Sequence, residues 1–331
     1  MNNNTTVSFT SQRFSKSVPF SKTDELLLPV QTADEILTTE WPEPVWAVPG
    51  ILPVGLAILA GNPKVGKSFL ALQIAQAVAS GGVVLGQKVE QGPVLYLALE
   101  DSARRLKVRM KKQSWPSGLE VEFITIGDFL EKVGYLNSSG WDLLARQIYL
   151  RHYQLVVVDT LSRAITGDQN DVAVMTKGLT PIQEIAHECN CAILFIDHHK
   201  KVKGESMDAI SDILGSTAKG AIADTILGLY RERGKPGAKL SIIGREVEEI
   251  CLEVHMDQAT WCWQLNTAND YVLAHYSDLL EVLKKLGGRA RTCELAKAVD
   301  RNRGTVHKQM CQLEGLGKVK KEGKEWVLLE I

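Results

Sequence analysis

The six cysteines of this 331-residue chain, at 189, 191, 251, 262, 293 and 311, form no C-x-x-C pair and no Cys/His set with zinc spacing. That absence argues against a disulfide framework or a structural metal and reads as reduced, mostly buried thiols. No apolar run approaches the roughly 18 to 20 residues of a membrane span, and the N-terminus has no h-region of a signal peptide, so a cytoplasmic protein without membrane contact is expected. Nor is there a charge excess, since 38 Lys and Arg stand against 39 Asp and Glu. The balance excludes nothing about nucleic acid, because a basic patch in one region can be cancelled by acids elsewhere. The first 22 residues contain no acid and are rich in Asn, Ser and Thr. Residues 1 to 33 lack periodicity and read as a disordered leader. Thr32 to Leu37 can then open a short helix, and Trp41 to Trp46 is held extended by Pro42 and Pro44, its two tryptophans packing on the domain that follows.

What is present is an apolar fraction of 45%, enough for one large α/β domain and a small second one. The large domain is organised around Gly61-Asn62-Pro63-Lys64-Val65-Gly66-Lys67-Ser68, which fits G-x-x-x-x-G-K-[ST], the phosphate-binding P-loop. It follows an apolar run from Gly55 to Ala60 and precedes Phe69 to Ala79, whose apolar residues recur with helical spacing, so the motif sits between a strand and a helix. Gly61 and Gly66 let backbone N–H groups turn onto phosphate oxygens while the helix N-terminus adds partial positive charge. In this pattern Lys67 reaches the β and γ phosphates, the hydroxyl of Ser68 holds Mg²⁺, and residues 61 to 69, through Phe69, line the nucleotide.

Three further apolar strands end in polar residues. Val94 to Leu99 ends in Glu100-Asp101, and a carboxylate beyond the carboxyl end of a parallel strand lies in the crevice where such sheets bind ligands. Glu100 is therefore a catalytic candidate, whereas Asp101 equally suits an N-cap for the basic helix from Ala103 to Lys112. Leu155 to Val158 runs into Asp159-Thr160, the form of a Walker B strand, with Asp159 in the Mg²⁺ shell. Ala192 to Ile196 leads into Asp197-His198-His199-Lys200-Lys201, where a histidine opposite the P-loop can sense the γ-phosphate. Leu119 to Ile126 reads as another strand, Trp141 to Arg151 as a helix, and 164 to 176 as a polar loop before a helix to His187. Lys200, Lys201 and Lys203 with Gly204 make a basic loop. Gly215 to Asp224 reads as helical, and Ile226 to Tyr230, Lys239 to Ile243 and Ile250 to His255 as strands, with Arg231 and Arg245 at strand ends.

After a polar linker, Asn266 to Asp270, the terminal region shows helices at Leu273 to Leu286, Thr292 to Val299 and Arg303 to Leu316. A basic turn from Lys318 to Lys324 then precedes Trp326 to Ile331. That order describes a winged helix-turn-helix over about 272 to 331. From Leu286 to Glu325 ten Lys or Arg stand against five Asp or Glu. Arg301, Arg303 and Lys308 at the start of the third helix, with Lys320 and Lys321 in the wing, are placed to face a DNA groove and backbone. A winged helix used for protein contact is the alternative.

The ordered motifs resemble the RecA-like hexameric ATPases and, within them, the RepA-type replicative helicases of plasmids and phages. The resemblance covers about 44 to 265 and rests on Gly61 to Ser68, the acids after Leu99, Asp159-Thr160, the run from His198, Gly215-Ser216 leading to Asp224, and Gly244 to Glu249. It implies a P-loop NTPase with a mostly parallel central sheet whose subunits form a homo-hexameric ring with ATP between neighbours. It also implies Glu100 as general base, Asp159 as Walker B acid, His198 as γ-phosphate sensor, and Arg245 or Arg231 supplied in trans. The expectation is a Mg²⁺-dependent ATPase driving a helicase or translocase on DNA, single-stranded in the pore and duplex at the winged helix. The alternatives are an ATP-switched regulator or initiator and a recombination ATPase; the latter needs a polymerisation strand in the N-terminal arm, where none stands out.

Overall fold

The computed structural model describes residues 30–40, 43–200, 208–213, 215–231, 237–266, 277–315 and 318–329, the side chains of 308, 312 and 315 excepted. By contacts the chain divides after Glu43. In the first unit a short helix, Ala33–Thr38, starts at a capping box: the Thr32 hydroxyl accepts from the Glu35 N–H at 3.2 Å and the Glu35 carboxylate accepts from the Thr32 N–H at 2.6 Å. Trp41 and Pro42 of the expected extended arm, and the leader to residue 29, lie outside the described residues.

The second unit is built on a nine-stranded sheet. Its strands are β1 (Gly55–Gly61), β2 (Val94–Ala98), β3 (Val121–Thr125), β4 (Leu155–Asp159), β5 (Ala192–His198), β6 (Thr225–Tyr230), β7 (Gly237–Gly244), β8 (Ile250–Met256) and β9 (Trp263–Leu265). In space they run β9-β8-β7-β6-β1-β5-β4-β2-β3, with β6 through β3 parallel and β7 to β9 added antiparallel. Side chains alternate between two cores. Ala57 and Leu59 of β1 join Tyr96, Val157 and Leu194 on the face covered by α1 (Lys67–Ser80), whereas Leu56 and Ile58 join Leu97, Val158 and Phe195 on the other. That second face is covered by α3 (Gly140–Arg151) and α4 (Val172–Glu188). Burial on both faces explains why these strands read as continuous apolar runs.

Two further helices are α2 (Ala103–Lys112) and α5 (Ala218–Ile222), the latter shorter than the expected helix over 215 to 224. α4 begins at Val172, inside the segment expected to be loop, because the Asp171 carboxylate accepts from the N–H groups of Ala173 and Val174 and caps it. Asp101 does not cap α2; the Ser102 hydroxyl does, accepting from the Arg105 N–H. Only Cys191 is fully buried, against the expectation of mostly buried thiols, and Cys251, Cys293 and Cys311 are exposed.

Beyond the segment 267–276, α6 (Ser277–Lys285), β10 (Arg289–Arg291), α7 (Thr292–Ala298), α8 (Arg303–Gly315), β11 (Val319–Glu322) and β12 (Glu325–Leu328) enclose their own core, in which Leu279, Leu283, Leu295, Val306, Met310 and Trp326 are buried. The strands order β10-β12-β11. Two details correct the sequence reading: the supposed basic turn is largely strand β11, and β10, masked by its flanking arginines, completes the sheet. No helix among the described residues is long and apolar enough to cross a membrane.

Candidate active site

The parallel register brings the chemistry to one edge. Gly61 lies opposite His198, Ala60 opposite Asp197, and Ala98 opposite Asp159, so the residues that follow β1, β2, β4 and β5 converge at the carboxyl ends of neighbouring strands. The Leu99 N–H donates to the Asp159 carbonyl and the His199 N–H to the Gly61 carbonyl, which closes the edge around the loop. Gly66 caps α1 at φ 112°, and a Cβ there would lie 2.5 Å from the Met256 methyl and 2.9 Å from the Trp263 ring, so both conformation and space demand glycine.

Lys67 is buried, its ammonium donating to the carbonyls of Gly61 at 2.8 Å and Asn62 at 3.1 Å, with His198 Nδ1 at 3.5 Å. Burial lowers its pKa to about 8, against the pull of Asp159, Asp197 and Glu100. An anion delivered to this amine restores the charged form, as phosphate recognition requires. Asp159 is also buried, and desolvation raises its pKa to about 6; the Ser68 and Tyr96 hydroxyls oppose that shift, while Asp101 and Glu100 add to it. Tyr96 donates to Asp159 Oδ2 at 3.0 Å, but Oδ1 finds no hydrogen-bond partner among the described residues. A buried oxygen so left is costly unless a ligand is meant to meet it. Glu100 is exposed, its Oε1 accepting from the Thr160 hydroxyl at 3.0 Å, so the carboxylate is oriented yet open to water. His198 is half-buried, and burial together with the Lys67 charge lowers its pKa, favouring the neutral ring.

A family model, AAA_25, described as an AAA domain, matches residues 22–204. The chain belongs to the AAA_25 family. Among curated relatives, the DNA repair protein RadA of Streptococcus pyogenes is 23% identical over 156 residues, 46% of this chain and 29% of that one. RadA of Helicobacter pylori is 26% identical over 157 residues, 46% and 30%. The chain thus spans under a third of the length of these relatives. Among solved structures, the RadB recombinase covers 66% of this chain and 92% of its own at 19% identity and TM-score 0.45. A KaiC-like protein from Pyrococcus horikoshii covers 65% and 91% at 15% and 0.43. The α/β fold with its large, mostly parallel sheet is RecA-like, as expected, and the site is that of a nucleotide-binding P-loop ATPase.

Within this AAA_25 chain, Lys67, Ser68, Glu100, Asp159 and His198 sit at the shared edge. The Phe69 ring is 5.1 Å from Trp261 and lies under the Arg109 guanidinium at 4.9 Å. Asp101 is drawn to α2 by ion pairs with Arg105 and Arg109. Arg231 follows β6 two residues past Leu229, the partner of Gly61, and so lies on the P-loop edge. Arg245 lies at the opposite edge, donating to Asp224 Oδ1 at 3.1 Å and to the Ala221 carbonyl at 3.0 Å. Antiparallel pairing of Thr225 with Gly244 returns the chain to Asp224, which gives Arg245 a partner within its own chain.

Lys200 is exposed, its N–H donating to the Asp212 carbonyl at 2.8 Å; Lys201 and Lys203 lie outside the described residues. In the terminal region Arg301 pairs with Asp278 at 2.7 Å, Lys320 with Glu322 at 3.7 Å, and Lys321 lies over the Trp326 ring at 5.5 Å, so these cations have internal partners. Arg303 is exposed, and the side chain of Lys308 is outside the described set.

Several site residues escaped sequence reasoning. Lys219 of α5 is wholly buried and donates to Asp197 Oδ2 at 2.7 Å and Gln169 Oε1 at 3.0 Å, while Asp197 Oδ1 accepts from the His198 N–H. Asp197 stood beside the histidines in the sequence, but its partner lies 22 residues on. Trp263 of β9 donates from Nε1 to the Gly66 carbonyl at 3.1 Å, and its backbone exchanges two hydrogen bonds with the Gln73 amide. No local pattern announces that contact.

Proposed function

We propose that the protein is an ATP-hydrolysing, Mg²⁺-dependent motor that acts on DNA as a ring, a homo-hexamer, in the replication of a plasmid, phage or mobile element. The observation that carries the enzymatic part is the convergence of Lys67, Asp159 with its unpartnered Oδ1, and the water-accessible Glu100 on one sheet edge. Asp159 and the Ser68 hydroxyl are hard oxygen donors that fit Mg²⁺, which in such sites is held by one or two side chains and by substrate phosphates. When bound, the ion supplies charge neutralisation on the phosphates. Lys67 binds the phosphates, Glu100 takes the proton of the attacking water at its carboxylate, and neutral His198 hydrogen-bonds near the γ-phosphate. The Asp197–Lys219 pair fixes the strand end on which His198 sits. Arg231, on the same edge, is the better placed of the two arginines to act near a phosphate, in its own subunit or a neighbour's.

The DNA part rests on Lys200 and the basic segment it opens, on the terminal helices and strands read as a winged helix, and on the RadA relatives being DNA repair proteins. Those relatives favour a second reading, a recombination ATPase. The test measures ATP turnover with and without single-stranded DNA, then strand separation on forked DNA. Turnover stimulated by single strands together with unwinding supports the motor. Stimulation with strand exchange and no unwinding supports the recombination ATPase, and turnover indifferent to DNA sinks both.

A further inference from the structure

The helix α2 carries more positive charge than its neighbours use. Six of its residues are basic and none is acidic. Arg105 and Arg109 are taken by Asp101, and Lys112 lies over the Trp261 ring at 5.5 Å. Arg104, Lys107 and Lys111, three and four residues apart, form one exposed stripe with no carboxylate partner among the described residues. Like charges at that spacing repel each other along a helix, so the stripe weakens the fold it belongs to. An anion lying along it would remove that cost.

Beside the stripe, between α2 and the edge strand β3, runs an open groove of about 290 Å³ in which Lys107 and Lys111 stand over Met110, Trp115, Leu119 and Phe123. Trp115 is half-buried, its Nε1 held by Gln113 Oε1 at 3.3 Å, and its ring lies 6.1 Å from Phe123, which in turn backs onto Tyr96 at 5.5 Å. The aromatic floor is therefore fixed from behind, not loosely exposed. Of the acids flanking β3, Glu122 is engaged by Arg151 and Tyr153, and neither it nor the exposed Glu120 forms an ion pair with Lys107 or Lys111 among the described residues. The groove is open to solvent rather than enclosing, which suits one segment of an extended polymer.

We propose that this α2–β3 groove binds single-stranded nucleic acid, the backbone along Arg104, Lys107 and Lys111 and a base against Trp115. Cations in a row beside an aromatic face are what a sequence-tolerant single-strand site needs, phosphate attraction from the one and stacking from the other. An acidic peptide would use the lysines and leave the indole floor unexplained. The proposal takes its partner class from the DNA reading above, but its residues belong to neither the nucleotide site nor the basic segment after His199.

The test uses the full chain and a fluorescein-labelled oligo-dT, with anisotropy titrations over a range of salt. Lys107→Ala/Lys111→Ala, both exposed and outside the nucleotide site, should weaken binding roughly tenfold and flatten the plot of log affinity against log salt by about 1.4, the value for two single-strand phosphate contacts. Basal ATP turnover should stay at the wild-type rate. Trp115→Leu, which retains an apolar filling, should weaken binding with no change in salt slope. Unchanged affinity and slope in the double variant overturn the groove site, and if Lys200→Ala weakens binding in the same assay the DNA-motor reading survives that loss. A double variant that keeps oligo-dT affinity but loses poly-glutamate binding also overturns it, making the groove a docking site for acidic protein. A wild-type chain that binds no oligo-dT overturns the groove and the DNA reading together.

Discussion

Two buried aspartates stand at opposite edges of the same sheet and have opposite surroundings. Asp224, at the amino edge, accepts from the Leu56 N–H at 2.9 Å, the Gln183 amide at 2.8 Å and Arg245 at 3.1 Å, with His187 Nε2 at 3.0 Å. Asp159, at the carboxyl edge, accepts from Tyr96 on one oxygen, and its other oxygen has no hydrogen-bond partner among the described residues. The first is a polar cluster completed by the fold, tying β1, α4 and the β6–β7 pair together. The second is left incomplete by the fold, and burial pushes it up to about 6. Burial alone therefore does not mark a functional acid; the unfilled valence does.

Substitutions at the two edges should separate turnover from stability. Glu100→Gln keeps the shape of the side chain but cannot accept a proton, so turnover should fall by about 10²- to 10⁴-fold while nucleotide binding, followed by a fluorescent analogue, persists. Loss of binding would instead make Glu100 structural. Lys67→Ala removes the charge set against the phosphates, and turnover should drop by about 10²- to 10³-fold with the melting temperature barely changed.

The aspartates themselves offer the direct contrast. Asp224→Ala strands the buried Leu56 N–H, leaves the Gln183 amide only its bond to the Ile222 carbonyl, and should cost roughly 2 to 4 kcal/mol in denaturant unfolding. Asp159→Asn relieves a buried charge, so it should be neutral or stabilising while abolishing turnover. Equal destabilisation by both would collapse the distinction drawn between the edges.

The pH dependence follows from the same burial. The folded pKa of Asp159 is raised from 3.8 to about 6, so its contribution favours the fold below pH 4 and is lost as pH rises through 6. Lys67, lowered from 10.5 to about 8, is neutral in much of the free protein above pH 8, and its contribution to stability falls as pH drops from about 10 towards 8. Phosphate binding raises that pKa again. Nucleotide binding near pH 9 should therefore take up a proton, visible by calorimetry in buffers of different ionisation enthalpy, and Lys67→Met should abolish the uptake.

The smallest effect belongs to Arg245→Ala. The side chain is 59% exposed and Asp224 retains its other partners, so a loss of under about 1 kcal/mol is expected from unfolding curves. A large loss of turnover, rescued on mixing with Lys67→Ala subunits, would show instead that Arg245 works across a subunit boundary despite its internal partner.

The contrast also marks what was legible in the sequence. The carboxyl edge could be read because each strand and the acid or histidine that ends it are contiguous, and the P-loop is a contiguous pattern with its own backbone demands. The amino edge could not, since Asp224, Gln183, His187 and Arg245 come together only through the register of β6 on β7 and the placement of α4. The Asp171 cap of α4 ends a polar run that reads as loop, and β10 is concealed because its outward residues are arginines.

The bond from Trp263 to the Gly66 carbonyl spans 197 residues. On the ribosome, the phosphate loop is therefore synthesised long before the residue that braces its glycine exists. A nascent chain halted before β9 carries the whole motif and Met256 yet lacks the tryptophan that braces the helix cap. Competence to hold nucleotide should then be a late property of biogenesis, acquired when the last strand of the sheet docks.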